Sequence, residues 1–143
     1  MAISQLTVFV GNNKGSIADI TEVLAKANVN LHAMNVADTD NFGILRLIAD
    51  DADRALCALG EAKVLAKLRK VVCFEVPDEP GGLSKVLRLL ADHDVNTEYM
   101  YSLITGSVKS AYIVIRVADN DVAEKLLTEA GYRVLNDEDV AGV

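Results

Sequence analysis

GNNKGSIADITEVLAKANVNL, residues 11–31, and PDEPGGLSKVLRLLADHDVNT, residues 77–97, carry one pattern twice. At a spacing of 66 residues Gly15 falls on Gly81, Ile17 on Leu83, Ile20 on Val86, Leu24 on Leu90, Val29 on Val95, Asn30 on Asn96 and, just beyond, Met34 on Met100. Each copy has a glycine, then apolar residues three and four apart, then Val-Asn. With half of all residues apolar, chance supplies a few such coincidences, but not the Gly and Val-Asn matches in the same frame. The pattern is that of an internal duplication.

A repeat of this length splits the 143 residues into two units, expected at 1–69 and 70–143. Each is small, and a domain of ~60 residues buries only about 60% of its unfolded surface. The halves are therefore expected to pack on one another, on a second chain, or on both. A composition of 51% apolar and 24% charged residues suits a well-cored globular protein.

Outward from the quoted stretches, ISQLTVFV (3–10) alternates and stops at Gly11-Asn12-Asn13, as a strand does at a turn. A helix follows with Ile17, Ile20, Leu24 and Ala27 on one face, Ser16 as the expected N-cap and Asn28 at its end. NLHAMNVA (30–37) and FGILRLIAD (42–50) predict a hairpin around DTDN. DADRALCALGEA (51–62) predicts a second helix and KVLAKL (63–68) a fourth strand. The second half repeats this order with VVCFEV (71–76), a helix over 82–93, NTEYMYSLI (96–104), SAYIVIRVA (110–118), a helix over 120–130 and YRVL (132–135). With right-handed crossovers, β-α-β-β-α-β gives an antiparallel four-stranded sheet with two helices on one face, a ferredoxin-like α+β fold, here in tandem. LRKVV (68–72) has neither Gly nor Pro, so the junction reads as nearly continuous strand.

Several functions are disfavoured. A net charge of −7 opposes a nucleic-acid partner, which needs a basic stripe, and the third strands lack the aromatic pattern of RNA-binding sheets. No apolar run is long enough for a membrane span, and residues 1–10 lack the parts of a signal peptide, so a cytoplasmic protein is expected. Cys57 and Cys73 show no metal-ligand spacing and read as buried small hydrophobes. GNNKGS is not a phosphate-binding P-loop, because Lys14 precedes the last glycine. His32 and His93 occupy unrelated points of the two copies with no nucleophile or ligand partner, and the acidic clusters read as solvated. No catalytic residues, metal or cofactor are expected. Met34, Met100, Tyr99 and Tyr101 read as core or interface residues.

What remains is the pair of glycine turns feeding helix starts, where the first N–H groups lack partners within the helix and, with the dipole, suit an anion such as a carboxylate. The first turn comprises Asn12, Asn13, Lys14, Gly15, Ser16 and Ile17. The second comprises Asp78, Glu79, Pro80, Gly81, Gly82 and Leu83.

DEPGGLSKVLRLLADHDVN resembles the D-x-P-G-x-L motif, helix and G-[IV]-N that open ACT domains, and NNKGSIADITEVLAKANVN is similar to a weaker copy. Over residues 3–135 the chain resembles small stand-alone proteins of two tandem ACT domains. The resemblance implies a non-enzymatic regulatory protein that binds a free amino acid or similar effector at the loop after the first strand, the start of the second strand and the domain interface. It further implies a homodimer and a metabolic enzyme as partner. In serine-sensing members an Asn three residues before the loop glycine and an Asn opening the second strand hold the ligand, which implies Asn12 and Asn30, with Asp78 and Asn96 in the second copy. The first copy has Lys where the family has Pro, and the second has Asp78 in place of Asn. The alternative is a structural adaptor of the same fold that docks a partner enzyme and binds no ligand.

Overall fold

The computed structural model describes residues 2–11, 13–38 and 42–143. Its elements run β1 (Ile3–Val10), α1 (Ser16–Lys26), β2 (Leu31–Asp38), β3 (Gly43–Ala49), α2 (Ala52–Glu61), β4 (Ala66–Pro77), α3 (Gly82–Asp92), β5 (Tyr99–Ser102), β6 (Ser110–Arg116), α4 (Asn120–Glu129) and α5 (Asp137–Ala141). The chain forms two compact units, one of residues 4–69 and one of residues 70–143 together with Ala2 and Ile3.

In the first unit the strand order is β2-β3-β1 and then the start of β4. β1 runs antiparallel to β3 with Leu6 opposite Leu47 and Val10 opposite Gly43, and β3 pairs with β2 from Leu31 opposite Ala49 to Asp38 opposite Gly43. In the second unit the order is β4-β6-β5, with Val72 opposite Ile115 and Pro77 opposite Ser110. These are ferredoxin-like sheets of antiparallel strands. The expected hairpin turn at DTDN falls largely on residues 39–41, outside the described residues.

The two cores are copies of each other. Leu6, Val8, Val10, Ile20 and Leu24 of the first correspond to Val72, Phe74, Val76, Val86 and Leu90 of the second, all 66 residues on. From β3 onward the spacing becomes 68: Leu45, Leu47, Ala55 and Leu59 match Ile113, Ile115, Ala123 and Leu127. The two extra residues therefore lie between β5 and β6. Burying one such Leu or Ile contributes about 1.5–3 kcal/mol, and Leu24, Leu59, Leu90 and Leu127 are all 1% exposed or less.

Helix ends are also copied. α1 closes with Val29 N donating to Leu24 O and Asn28 N to Ala25 O, and α3 with Val95 N to Leu90 O and Asp94 N to Ala91 O. This Schellman arrangement needs a left-handed residue after the helix, and Asn28 and Asp94 both have φ 59. α2 and α4 end in the same way, with Lys63 at φ 61 and Gly131 at φ 90.

As expected from LRKVV, which has nothing to interrupt it, the junction is continuous strand, β4. Elsewhere the structure differs from the sequence expectation: the strand expected over 96–104 is confined to Tyr99–Ser102. YRVL is not a full strand: it makes a single bridge, Val134 with Phe74, and stops where Asn136 opens α5 with a capping box to Asp139. Ser16 is not the N-cap of α1 but its first helical residue, Gly15 taking the cap position at φ 86. Cys57 is exposed on α2, whereas Cys73 is buried; only Cys73 faces a packed region.

Candidate functional site

The five helices among the described residues start in two different ways. Asp51 caps α2 by accepting from Arg54 N at 3.0 Å. Asp119 caps α4 by accepting from the N–H groups of Asp121 and Val122, and Asn136 caps α5. Among the described residues no side chain caps α1 or α3; a left-handed glycine precedes each, Gly15 at φ 86 and Gly81 at φ 82. The helix ends at the duplicated turns are thus the two that leave the backbone open to an outside acceptor. At both glycines an added Cβ would meet nothing within 4 Å among the described residues.

Asn12 lies outside the described residues. Asn13, Lys14 and Gly15 are exposed, Ser16 is half-buried, and Ile17 is exposed at the head of α1. Ser16 N is drawn back to Asn13 O at 3.2 Å. In the second unit Asp78, Glu79, Pro80 and Gly81 are exposed. This turn is tighter: Asp78 N donates to Lys109 O at 2.9 Å, Glu79 N to Pro77 O and Gly82 N to Glu79 O, both at 3.0 Å. Gly82 is buried against the Pro77 carbonyl, into which any Cβ would run. Leu83 packs partly against the core. The first turn carries one positive side chain, Lys14, and the second two acidic ones, Asp78 and Glu79.

Asn30 and Asn96 are not at these turns. Within a unit the first turn follows Val10, which is opposite Gly43, while Asn30 lies at the other end of the sheet, its N–H on Asp50 Oδ1 at 3.0 Å and its carbonyl accepting from Asp50 N at 3.0 Å. Asn96 likewise precedes the end where Tyr99 faces Arg116, whereas the second turn follows Pro77 opposite Ser110. The 11 residues of α1 or α3 lie between, roughly 16 Å at 1.5 Å per residue. A turn and a strand-start Asn of one unit cannot grip the same small molecule.

Of the remaining expectations, His32 is buried, with no hydrogen-bond partner for Nε2 among the described residues, and His93 is exposed with Nδ1 on Leu89 O. Met100 packs against the core, Met34 is exposed, and Tyr99 and Tyr101 stack with ring centroids 6.4 Å apart. Burial, helped by the charge of Asp139, pushes the Cys73 thiol up to about 12, which leaves it a packing group. Among the described residues no three His, Cys, Asp or Glu are placed to hold a metal ion, and no helix is long and apolar enough to cross a membrane.

One feature was not foreseen. Beside the second turn, a cavity of about 290 Å³ is lined by Glu75, Pro77, Ser110, Tyr132 and Arg133, among others. Arg133 Nη2 donates to Asp139 Oδ1 at 3.1 Å, while Nη1 stands 3.7 Å from Glu75 Oε2. The sequence holds a signal for it only after the spacing of 68 is known: Leu65 then falls on Arg133 and Phe42 on Ser110, with Phe9 on Glu75 at 66.

A βαββαβ-like unit given twice, with paired glycine turns at its first helices, is a tandem ferredoxin-like fold of the regulatory type. The family model described as an ACT domain pair matches residues 1–143, and the chain belongs to that family. The chain is similar to protein BT0572 from Bacteroides thetaiotaomicron, at 37% identity over 100% of this chain and 98% of that one, with a TM-score of 0.93. It shares its fold with the regulatory subunit of aspartate kinase from Thermus thermophilus, at 17% identity over 90% and 92% of the two chains and a TM-score of 0.66. The corresponding subunit from Thermus flavus is also similar, at 17% identity over 89% and 91%, with a TM-score of 0.59. No curated protein matches.

Proposed function

We propose that this ACT domain pair is a non-enzymatic regulatory protein of the cytoplasm that binds a free amino acid or similar small effector at its two glycine turns and modulates a separate metabolic enzyme. The observation that carries this reading is the contrast in capping. α2, α4 and α5 satisfy their first N–H groups with their own side chains, and α1 and α3 do not. A carboxylate fits there by hydrogen bonding and by the helix dipole. Acceptors for the ligand's ammonium group come from Asp78 in the second turn and from the side-chain oxygens of Asn12, Asn30 and Asn96.

Because Asn30 and Asn96 lie a helix length from the turns of their own units, a ligand held by a turn and a strand-start Asn needs them from different ACT domains. A homodimer supplies such pairs, and the domains are taken as 1–69 and 70–143. The test is thermal melting with the common amino acids one at a time. At ~100 times Kd a ligand adds roughly 2.7 kcal/mol, several degrees in Tm for a chain of this size. A flat response to every amino acid at millimolar concentration would favour the ligand-free adaptor instead.

A further inference from the structure

The two units differ where the last segment of each lies against its first strand. Both keep the same backbone bond there, Phe9 N to Leu65 O at 3.1 Å in the first unit and Glu75 N to Arg133 O at 2.9 Å in the second. In the first unit the side chains around that bond are apolar: Phe9 and Phe42 lie with ring centroids 6.1 Å apart, and Leu65 is 63% exposed. In the second unit the equivalents are Glu75, Ser110 and Arg133, and they line the cavity of about 290 Å³.

An ordinary surface ion pair stabilises by only ~0–1 kcal/mol, so stability is a weak reason for an acid and a base to stand where the duplicate has an aromatic pair. The geometry points elsewhere. Asp139 anchors one edge of the guanidinium at 3.1 Å. The other edge is 3.7 Å from Glu75, longer than the ~2.7–2.9 Å of a charge-assisted hydrogen bond. A held cation and an acid beside it, slackly paired and facing one cavity, match the two ends of a zwitterion. The volume lies at the lower limit of the ~300–1,000 Å³ usual for ligand pockets, which sets the ligand at metabolite size.

We propose that this cavity is a second binding site, for a small zwitterion of the α-amino acid class, with Arg133 receiving the carboxylate and Glu75 the ammonium group. Ser110, which replaces a phenylalanine ring, leaves the room. The site shares only its ligand class with the turns above and does not depend on them.

The test uses the full chain with both turn glycines replaced, Gly15→Asn and Gly81→Asn, titrated by calorimetry with each common amino acid. Propionate and methylammonium, each carrying one of the two charges, serve as controls. Expected is binding of at least one amino acid and of neither control. Adding Glu75→Gln or Arg133→Gln should weaken it by roughly tenfold or more, the scale of one lost hydrogen bond to a charged group. Ser110→Phe, which leaves the ion pairs in place, should abolish it, and the melting curve without ligand shows that each variant is folded. Binding that ignores all three substitutions overturns the cavity assignment. Binding by the wild type but not by the double glycine variant overturns it too and leaves the turns as the site. If the wild type binds no amino acid, both readings fall.

Discussion

Replacing the glycines of the second turn separates backbone strain, steric fit and ligand approach. Gly81 has φ 82 and ψ −6, a conformation that Gly adopts freely, Asn tolerates and other L-residues resist. No atom stands within 4 Å of the missing Cβ, so Gly81→Ala has no clash and costs only the left-handed penalty, about 1–2 kcal/mol. Unfolding entropy near 2.1 cal/mol/K per residue converts this to roughly 3–7 °C in Tm for a chain of this length. Gly81→Asn should cost less than half of that, while still placing a side chain where a carboxylate has to approach the helix start. Gly82 differs, because its Cβ would run into the Pro77 carbonyl oxygen. That oxygen accepts from Glu79 N and is backbone, so it cannot swing aside. Overpacking of this kind costs about 1–3 kcal/mol or more, and Gly82→Ala should be the most destabilising of the three. Differential scanning calorimetry ranks the stabilities, and titration calorimetry with an amino acid that stabilises the wild type ranks the affinities. The expected pattern is a near-normal melt with lost turn binding for Gly81→Asn. Wild-type affinity at the turn in that variant, or a Gly82→Ala protein as stable as Gly81→Ala, would refute the reasoning.

Three further outcomes are expected. Asp78→Ala should cost more ligand affinity than Asn12→Ala, since a charge-assisted hydrogen bond to an ammonium group is roughly twice as strong as a neutral one; equal losses by calorimetry would show that the charge of the second turn is irrelevant. Lys63, left-handed at φ 61 where the second unit has Gly131 at φ 90, should gain about 1 kcal/mol on Lys63→Gly, seen as a higher urea midpoint, and an unchanged midpoint would dismiss the strain. The Cys73 thiol, raised from 9.0 to about 12 by burial and then by Asp139, costs nothing below pH 9, where it is neutral both folded and unfolded. Between pH 9 and 12 only the unfolded chain ionises, so stability should fall by up to about 1.4 kcal/mol per pH unit; Cys73→Ala should remove that slope, and an identical alkaline loss in the variant would count against it.

The duplication was legible because its marks are local. A glycine before a helix, an apolar residue at every third or fourth place and a left-handed residue at the end each follow from one short stretch, and they place α1 and α3 to within a residue or two at each end. The absence of Gly and Pro from 68–72 likewise foretold the unbroken β4. What escaped depends on residues far apart in the chain. Arg133 and Glu75 meet only because the end of the second unit folds back along β4. The shortening of YRVL was written nearby, in the Asn136 and Asp139 of a capping box, but an acidic tail invites reading as solvated. The resemblance implies a ligand-binding role for Asn30, yet its distance from Gly15 follows from strand direction, since β1 ends where β2 has still to arrive. Cys57 shows the limit of pattern reading: it occupies a helix with a clear apolar face, but on the side that faces water.

The change in spacing from 66 to 68 has a practical side. Two residues more or fewer inside a strand or helix shift its side chains relative to their partners, and the matching cores show that none of these elements was altered. The length change was absorbed between Ser102 and Ser110, where Val108 is 87% exposed and the turn is held mainly by its own hydroxyls, Ser107 Oγ accepting from the N–H groups of Lys109 and Ser110. Such a segment has already accommodated a change in length once. It is the natural point at which to splice an epitope or a fluorophore-labelling peptide into the protein, or to open new chain termini, while leaving both cores as they are.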